Sequence, residues 1–311
     1  MLQAVSIPAA LLAELRIFHR RGPNMLGDDL PGLRLRRLTG GRKNRVFAWD
    51  GPDGEVCLKL YRADNRDRAA REYQALVHLA ESGITAAPQP LWHDPDPELP
   101  AVAMTMLPGR ALPDLGEPAS ALRGVAGVLS ELRTVQVGPF TNTPRIGSAK
   151  DVVQRLMDTW SGQLDDHADD PHTYDMQLLL DAWSAHGDAE ILLEPAPRIF
   201  SRGDSNLLNW LWDGTDARVV DWEFAGYSDT AYDAAELVEH LSARAIDDAW
   251  WISLLPDLGI NDENRCRRFL AAQRTVALRW LSVLWKRRDD RADEFDAQHA
   301  RVRDLMTHDF V

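Results

Sequence analysis

The stretch from residue 199 to residue 223 constrains the fold of this chain more than any other. Within it, two short β-prone runs at 209–212 and 218–220 flank the turn pair Asp213-Gly214. A turn pair between two such runs is a strong signal for a β-hairpin. Because a hairpin folds its two ends back together, polar residues immediately before and after it are predicted to meet at one point.

Three polar residues flank this hairpin in the sequence. Asp204 and Asn209 lie before it, five positions apart, and Asp221 lies twelve positions after Asn209. Magnesium-dependent phosphoryl transfer needs these groups: one carboxylate to orient a hydroxyl nucleophile and accept its proton, and an amide and a second carboxylate to hold hard cations. Taken alone, such aspartates are more often ordinary turn and loop residues.

Further glycines and acids continue the pattern, in the order Gly203, Asp204, Asn209, Asp221, Trp222, Glu223, Gly226, Asp229 and Asp233. This order and spacing resemble the catalytic and metal-binding segment of the aminoglycoside phosphotransferase and choline kinase-like family. The resemblance implies a protein-kinase-like fold and phosphorylation of a small-molecule hydroxyl by ATP or GTP with Mg²⁺. It also implies Asp204 as the catalytic residue, and Asn209 and Asp221 as the metal ligands.

One position departs from the family pattern. Arg202 stands where the family usually has His, two residues before the catalytic aspartate. A guanidinium cannot accept a hydrogen bond as a neutral imidazole can. The departure leaves the base and the metal ligands intact and gives a second hypothesis: a non-catalytic, nucleotide-sensing or scaffold protein that retains the fold.

The region before residue 62 predicts three strands, at 33–38, 45–49 and 55–61. Gly40 and Gly41 separate the first two strands, and glycines let backbone N–H groups approach phosphate oxygens closely. The resemblance makes these two glycines part of a phosphate-binding loop. A plain β-hairpin explains them equally well.

Lys59 interrupts an otherwise β-like run, and a lysine within a mostly apolar strand needs a partner or a ligand. Glu72 lies thirteen residues later, in a predicted helix over 66–81. The apolar stripe predicted beside it consists of Tyr73, Leu76, Val77 and Ala80. The resemblance pairs Lys59, at the nucleotide phosphates, with Glu72. The alternative is an edge-strand lysine that snorkels to water and a surface glutamate.

Three residues are predicted to contact the base of the nucleotide. Cys57 lies two residues before Lys59, so strand alternation puts both side chains on one face, and Cys57 is expected to contact the adenine. The apolar run 101–106 reads as a buried strand. The resemblance implies that this strand is followed by an interlobe hinge, in which the backbones of Thr105 and Leu107 bind the base.

The predicted fold class is α+β: a bilobal, protein-kinase-like fold with a small β-rich nucleotide lobe and a larger, mainly helical lobe. The nucleotide-binding lobe covers residues 1–109, and the catalytic and substrate-binding lobe covers 110–311. After a first amphipathic helix at 8–21, further helices are predicted at 119–135, 149–164, 174–186, 229–245, 262–287 and 289–305.

The composition is that of an ordinary globular protein, with 311 residues, of which 45% are hydrophobic and 27% charged. The two cysteines, Cys57 and Cys266, make no disulfide framework, which favours the cytoplasm. No apolar run reaches membrane-spanning length, so we expect no membrane partner.

The net charge of −13 is unevenly placed. Residues 1–109 carry 14 Lys and Arg against 13 Asp and Glu, whereas residues 110–311 carry 21 against 35. This acidity argues against a nucleic-acid partner. It also predicts a cationic acceptor, an amino-alcohol or aminosugar, whose ammonium groups would be received by Glu236, Glu239 or the loop 165–170. A solvated acidic surface explains part of the same charge.

Overall fold

The computed structural model describes residues 7–22, 26–38, 44–52, 54–114 and 119–308. The chain divides into two compact units: Met1–Leu115 with Leu208–Ala225, and Gly116–Leu207 with Gly226–Val311. Of the described residues, those of the first unit are rich in β-strands and those of the second are mainly helical. The predicted α+β class is therefore confirmed.

Strands are numbered in chain order as β1 (Leu35–Arg37), β2 (Arg45–Gly51), β3 (Gly54–Leu60), β4 (Pro90–Asp94), β5 (Ala101–Thr105), β6 (Arg110–Ala111), β7 (Ile199–Ser201), β8 (Trp210–Trp212), β9 (Ala217–Val219) and β10 (Gly226–Ser228). The α-helices are α1 (Ala9–Arg21), α2 (Arg68–Glu81), α3 (Ala119–Leu132), α4 (Ala149–Gln154), α5 (Ser161–Asp165), α6 (Pro171–Ala185), α7 (Asp188–Leu193), α8 (Thr230–Glu239), α9 (Asp248–Leu254), α10 (Glu263–Trp285) and α11 (Ala292–Thr307).

The first unit is built on an antiparallel five-stranded sheet in the order β1-β2-β3-β5-β4. One face of this sheet, which carries Leu58 and Leu60 of β3, forms a core with Leu11 and Leu15 of α1. Side chains alternate between the faces of a strand, so Lys59 projects from the opposite face. The alternation of apolar residues thus decides which face is left for polar chemistry.

The predicted hairpin is present as β8 and β9, which pair antiparallel, and β6 adds a third strand beside β8. The Val219 N–H donates a hydrogen bond to the Ala86 carbonyl at 2.8 Å. These contacts attach the hairpin to the first compact unit, although it follows residue 109 by about a hundred positions in the sequence.

In the second unit, α10 is the central helix and packs against α7, α8 and α11. A short antiparallel pair, β7 with β10, carries the segment that leads to Asp204. Position 226, the first of β10, requires glycine because a Cβ there would lie 2.3 Å from the Arg145 backbone nitrogen. The close approach lets the Arg145 N–H donate to the Tyr227 carbonyl at 3.0 Å.

Most predicted helices are present, with differences at their ends and with additional helices. The helix predicted to reach residue 245 ends at Glu239, where His240 has an extended backbone with ψ of 139°. α6 begins three residues earlier than predicted, because Asp170 caps it and Pro171 opens it. Helices α7 and α9 are not among the predicted ones. None of the helices in the described ranges is long and apolar enough to cross a membrane.

The predicted apolar stripe of α2 is wrong, except for Leu76. The buried face consists of Arg68, Ala69, Glu72, Ala75, Leu76 and Leu79. Glu72 therefore lies within the buried face and not beside it. The reason is the partner that Lys59 offers from the sheet, which turns the polar residue of the helix inward.

Candidate active site

Lys59 is the centre of a buried charge cluster in the first unit. Its side chain is 7% exposed, and its ammonium lies 2.6 Å from a Glu72 carboxylate oxygen and 2.5 Å from Asp221 Oδ1. The structure thus brings together three of the predicted site residues, from β3, from α2 and from the segment after β9. The alternative of a snorkelling lysine and a surface glutamate is wrong.

The orientation of Glu72 is fixed by further donors. The Tyr61 hydroxyl donates a short hydrogen bond to the same oxygen that receives Lys59, and the Trp222 N–H donates to the other oxygen at 3.1 Å. Because α2 carries the carboxylate and β3 the ammonium, the contact also fixes the helix on the sheet.

Burial and charge act in opposite directions on this pair. Burial alone would lower the pKa of Lys59, but Asp221, Glu72 and Glu223 together raise it above its ordinary value, so the ammonium stays charged. Burial raises the pKa of Glu72, and the positive charge of Lys59 counteracts that rise only in part. The ionised state of Glu72 therefore depends on Lys59.

Glu223 joins the same cluster, a role that sequence reasoning missed. One of its oxygens accepts from Arg68 at 2.8 Å, the other accepts a short hydrogen bond from the Asn44 amide, and Lys59 lies 3.3 Å away. Two local signals pointed to this: Glu223 follows Asp221 by two positions, and Arg68 precedes Glu72 by one helical turn.

Among the described residues, Lys59 contacts the carboxylates of Glu72, Asp221 and Glu223, and Arg68 contacts Glu223 and also Asp64, at 3.0 Å. The ligand oxygens of Glu72, Asp221 and Glu223 all lie within 4.8 Å of one another. Asp221 is the most accessible of the three, with 30% of its side chain exposed against 1% and 6%. Lys59 already contacts all three carboxylates, so Asp221, the most accessible of them, is the one that could also offer an oxygen to a hard divalent cation.

Asp221 has an unusual backbone, with a φ of +69°. The left-handed region is disfavoured for residues other than glycine, and such conformations concentrate at functional sites. The hairpin brings Asn209 to the same neighbourhood, because the Val220 N–H donates to the Asn209 carbonyl at 3.0 Å. The ends of the hairpin therefore meet as the turn chemistry predicts.

The residues predicted to contact the nucleotide base lie on β3 and β5 and after β5. Cys57 is half-buried and pairs across the sheet with Met104, so both side chains share the face of Lys59. The Thr105 N–H donates to the Gln89 carbonyl at 3.0 Å and is used within the first unit. Leu107 is half-buried after β5. The contacts of Cys57, Thr105 and Leu107 with a base stay predictions.

The predicted phosphate-binding glycines, Gly40 and Gly41, lie outside the described residues. The described chain resumes at Asn44, which is 6% exposed and contacts Glu223.

In the second unit, Asp204 lies in the loop after β7 and is partly buried. Its Oδ1 accepts a hydrogen bond from the Asn206 N–H at 3.0 Å, which closes a turn immediately after it. Gly203 has a φ of +81°, a conformation that glycine adopts without strain. Arg202, the departure from the family pattern, is 6% exposed.

Arg145 is a second residue that sequence reasoning missed. It is 2% exposed and donates to the Gly203 carbonyl at 2.6 Å, to Glu236 at 2.7 Å and to Asp233 at 3.0 Å. It therefore joins the loop of Asp204 to helix α8. The local sequence around Arg145 contains no signal for this, because the contacts arise from its pairing with β10.

The prediction that Glu236 or Glu239 receives the ammonium groups of an acceptor is wrong. Glu236 is 3% exposed and lies 2.7 Å from Arg145 and 2.5 Å from Arg279, and Glu239 is wholly buried against two further arginines. Burial alone would raise the pKa of Glu236, but Arg145 and Arg279 hold it below its ordinary value. Both carboxylates are neutralised within the fold.

The family relationship of the chain was established by comparison with known proteins. The model of the phosphotransferase enzyme family matches residues 34–272. No curated protein sequence matches the chain.

Three solved structures illustrate the similarity. One is a thermostable mutant of aminoglycoside phosphotransferase APH(4)-Ia in a ternary complex with AMP-PNP and hygromycin B, with 19% identity, a TM-score of 0.65, and coverage of 88% of this chain and 93% of that one. Another is a choline/ethanolamine kinase family protein from Mesorhizobium loti, with 20% identity, a TM-score of 0.62, and coverage of 96% and 95%. The third is spectinomycin phosphotransferase APH(9)-Ia with ADP and spectinomycin, with 11% identity, a TM-score of 0.59, and coverage of 88% and 92%.

At these identities the structural similarity bears on the fold, and it confirms the predicted kinase-like class. The family model, by contrast, spans most of the chain, from the first strand of the sheet into helix α10. The chain therefore belongs to the phosphotransferase enzyme family.

Proposed function

We propose that this protein is a small-molecule kinase, which transfers the γ-phosphoryl group of ATP or GTP to a hydroxyl group of its acceptor. The observation that carries the proposal is the buried contact of Lys59 with Glu72 and Asp221, at 2.6 and 2.5 Å. A lysine held in this way is a fixed positive charge for nucleotide phosphates, and phosphoryl transfer depends on such fixed charges more than on covalent chemistry.

Each predicted residue has a role in this proposal. Asp204 orients the attacking hydroxyl and accepts its proton, and Lys59, fixed by Glu72, neutralises the phosphates. Asn209 and Asp221 would hold Mg²⁺, which supplies positive charge to the phosphate oxygens when it is bound.

The remaining predicted residues bind the rest of the nucleotide. Gly40 and Gly41 cover the phosphates, while Cys57 and the backbones of Thr105 and Leu107 contact the base. In this proposal residues 1–109 form the nucleotide-binding lobe, and residues 110–311 form the catalytic and substrate-binding lobe.

The acceptor is proposed to be an alcohol that also carries an amine. Residues 110–311 have 14 more acidic than basic residues, and Asp165, Asp166 and Asp169 of the loop 165–170 are exposed. The similar structures include complexes with hygromycin B and with spectinomycin, and a choline/ethanolamine kinase family protein. Acidic side chains around an acceptor site would favour a cationic acceptor and speed its encounter with the enzyme.

Arg202 supports a second candidate, a nucleotide-binding protein without turnover. It stands in the catalytic segment where the family usually has His, and it is 6% exposed. A buried side chain that can only donate hydrogen bonds therefore replaces one that can also accept them.

A screen for turnover separates the two candidates. The protein is incubated with ATP, Mg²⁺ and a library of amino-alcohols, aminosugars and neutral sugars, and ADP formation and new phosphate monoesters are followed by ³¹P NMR. The kinase proposal predicts a phosphate monoester from at least one amine-bearing alcohol and no product when Mg²⁺ is omitted. Binding of ATP by calorimetry without any product across the library would instead establish the non-catalytic candidate.

A further inference from the structure

His240 lies immediately after α8 in the second unit and has no role in the chemistry above. Its Nδ1 accepts a hydrogen bond from the Ser242 N–H at 3.1 Å and lies 2.7 Å from the Ser242 hydroxyl oxygen. That hydroxyl oxygen accepts a hydrogen bond from the Leu207 N–H at 2.9 Å. Leu207 is 2% exposed and follows Asp204 by three positions. A series of hydrogen bonds through Ser242 therefore joins His240 to the loop after β7 that contains Asp204, called the catalytic loop below.

The hydrogen-bond roles in this series follow from the Ser242 N–H, which can only donate. Because Nδ1 accepts from the Ser242 N–H, its lone pair is directed at Ser242, and the Ser242 hydroxyl 2.7 Å away is the donor in its contact with Nδ1. Nδ1 thus accepts from both donors of Ser242 and carries no proton, and the ring proton resides on Nε2. His240 is therefore a neutral imidazole whose tautomer is fixed by Ser242.

The surroundings of His240 support this neutral state. Burial lowers the pKa of His240 to about 4, against the opposing influence of Asp204 and Glu236. The ring also packs edge-on against Trp280 of α10, with ring centroids 4.9 Å apart. The imidazole is thus held in position from the helix side as well as from Ser242.

We propose that His240 and Ser242 are positioning residues of the catalytic loop. His240 orients the Ser242 hydroxyl, and that hydroxyl holds the Leu207 N–H and so fixes the segment 204–207 relative to α8. The inference rests on the proposed function in one respect, since it takes Asp204 as the proton acceptor. A misplacement of a catalytic group by about 1 Å can cost about 10²-fold in rate.

Two substitutions of His240 distinguish the role of Nδ1 from that of Nε2. His240→Asn keeps an acceptor close to the position of Nδ1, and Asn is also a good residue to precede the helical turn 241–243. His240→Gln places its amide further along the side chain, near the position of Nε2, and loses the acceptor for Ser242. Ser242→Ala removes the link to Leu207 altogether.

The first measurement is amide hydrogen exchange at Leu207 by NMR. We expect protection in the wild type and in His240→Asn, and faster exchange in Ser242→Ala and His240→Gln. The matched control is Asp247→Ala, which removes the exposed cap of α9 in the same unit and should leave the exchange at Leu207 unchanged. This measurement needs no turnover, so it decides the inference even if the proposed function fails.

The second measurement is steady-state kinetics on the acceptor found in the screen. Ser242→Ala and His240→Gln should lower kcat by about 10- to 100-fold with an unchanged KM for ATP, and His240→Asn should recover most of that loss. A generally weakened fold would not separate Asn from Gln in this way. Wild-type exchange at Leu207 in Ser242→Ala would overturn the inference, as would an equal loss of kcat in His240→Asn and His240→Gln.

Discussion

Replacing Lys59 by Met tests whether charge holds the cluster of the first unit together. Methionine keeps the length and the apolar stem of the side chain but removes the ammonium. The three carboxylates are affected unequally by the loss of the ammonium. Asp221 is 30% exposed and can be hydrated, and Glu223 keeps its contact with Arg68 at 2.8 Å. The cost of the substitution therefore falls mainly on Glu72.

Glu72 has no access to water that could replace the ammonium, since its side chain is 1% exposed. Removing one partner of a buried ion pair costs about 3–5 kcal/mol, because the other charge is left uncompensated or must take up a proton. We expect a loss of that size in the free energy of unfolding at pH 7. The double variant Lys59→Met/Glu72→Gln should regain most of it, because Gln is neutral: its amide oxygen can accept from the Trp222 N–H, and its NH2 group can donate to the Tyr61 hydroxyl oxygen.

The assay is urea unfolding of the wild type, the two variants and a matched control, Lys286→Met. Lys286 is exposed, and its substitution should change the free energy of unfolding by no more than about 0.5 kcal/mol. A Lys59→Met variant whose free energy of unfolding lies within about 1 kcal/mol of the wild-type value would refute the reasoning, because leaving a buried carboxylate unpaired costs more than that. A double variant no more stable than Lys59→Met would refute it as well.

Two further predictions concern pH and thiol reactivity. Burial alone would raise the pKa of Glu239, but Arg244 and Arg301 lower it, so its stabilising contribution is present above about pH 4.3 and is lost as the pH falls through the folded-state pKa. The gap in unfolding free energy between the wild type and Glu239→Gln should therefore shrink below about pH 4, and a constant gap from pH 7 to pH 3 would contradict the ion-pair account. Burial raises the pKa of Cys57 to about 12, so its alkylation should be slow near neutral pH, and ATP should slow it further without affecting Cys266. Mass spectrometry that finds no selective protection of Cys57 would contradict its placement beside the nucleotide.

The parts of the site that could be predicted from sequence are those encoded by local rules. The turn formers Asp213 and Gly214 open the loop 213–216 between β8 and β9, and strand alternation around Lys59 specifies the face on which it lies. Both rules act over a few residues, so the positions of Asp221 and Lys59 within their elements follow without knowledge of the rest of the fold.

The parts that could not be predicted depend on long-range partners. Glu236 and Glu239 contribute to the negative charge calculated from the sequence, but arginines from other segments neutralise them in the fold. No local pattern indicates those contacts. Arg145 illustrates the same limit, since its contact with the Gly203 carbonyl spans 58 positions and depends on a close approach to Gly226. Net charge is therefore a poor guide to which carboxylates can receive a ligand.

Asp204 is proposed to accept the proton of the attacking hydroxyl, and the comparison of Asp204→Asn with the wild type tests this role most directly. Turnover of the acceptor and affinity for ATP with Mg²⁺ are measured on both proteins, with circular dichroism as the check on folding. Because an amide cannot accept the proton, the account predicts a fall in kcat of about 10²–10⁴-fold with unchanged nucleotide affinity. A folded Asp204→Asn variant that turns over at a near-wild-type rate would contradict it.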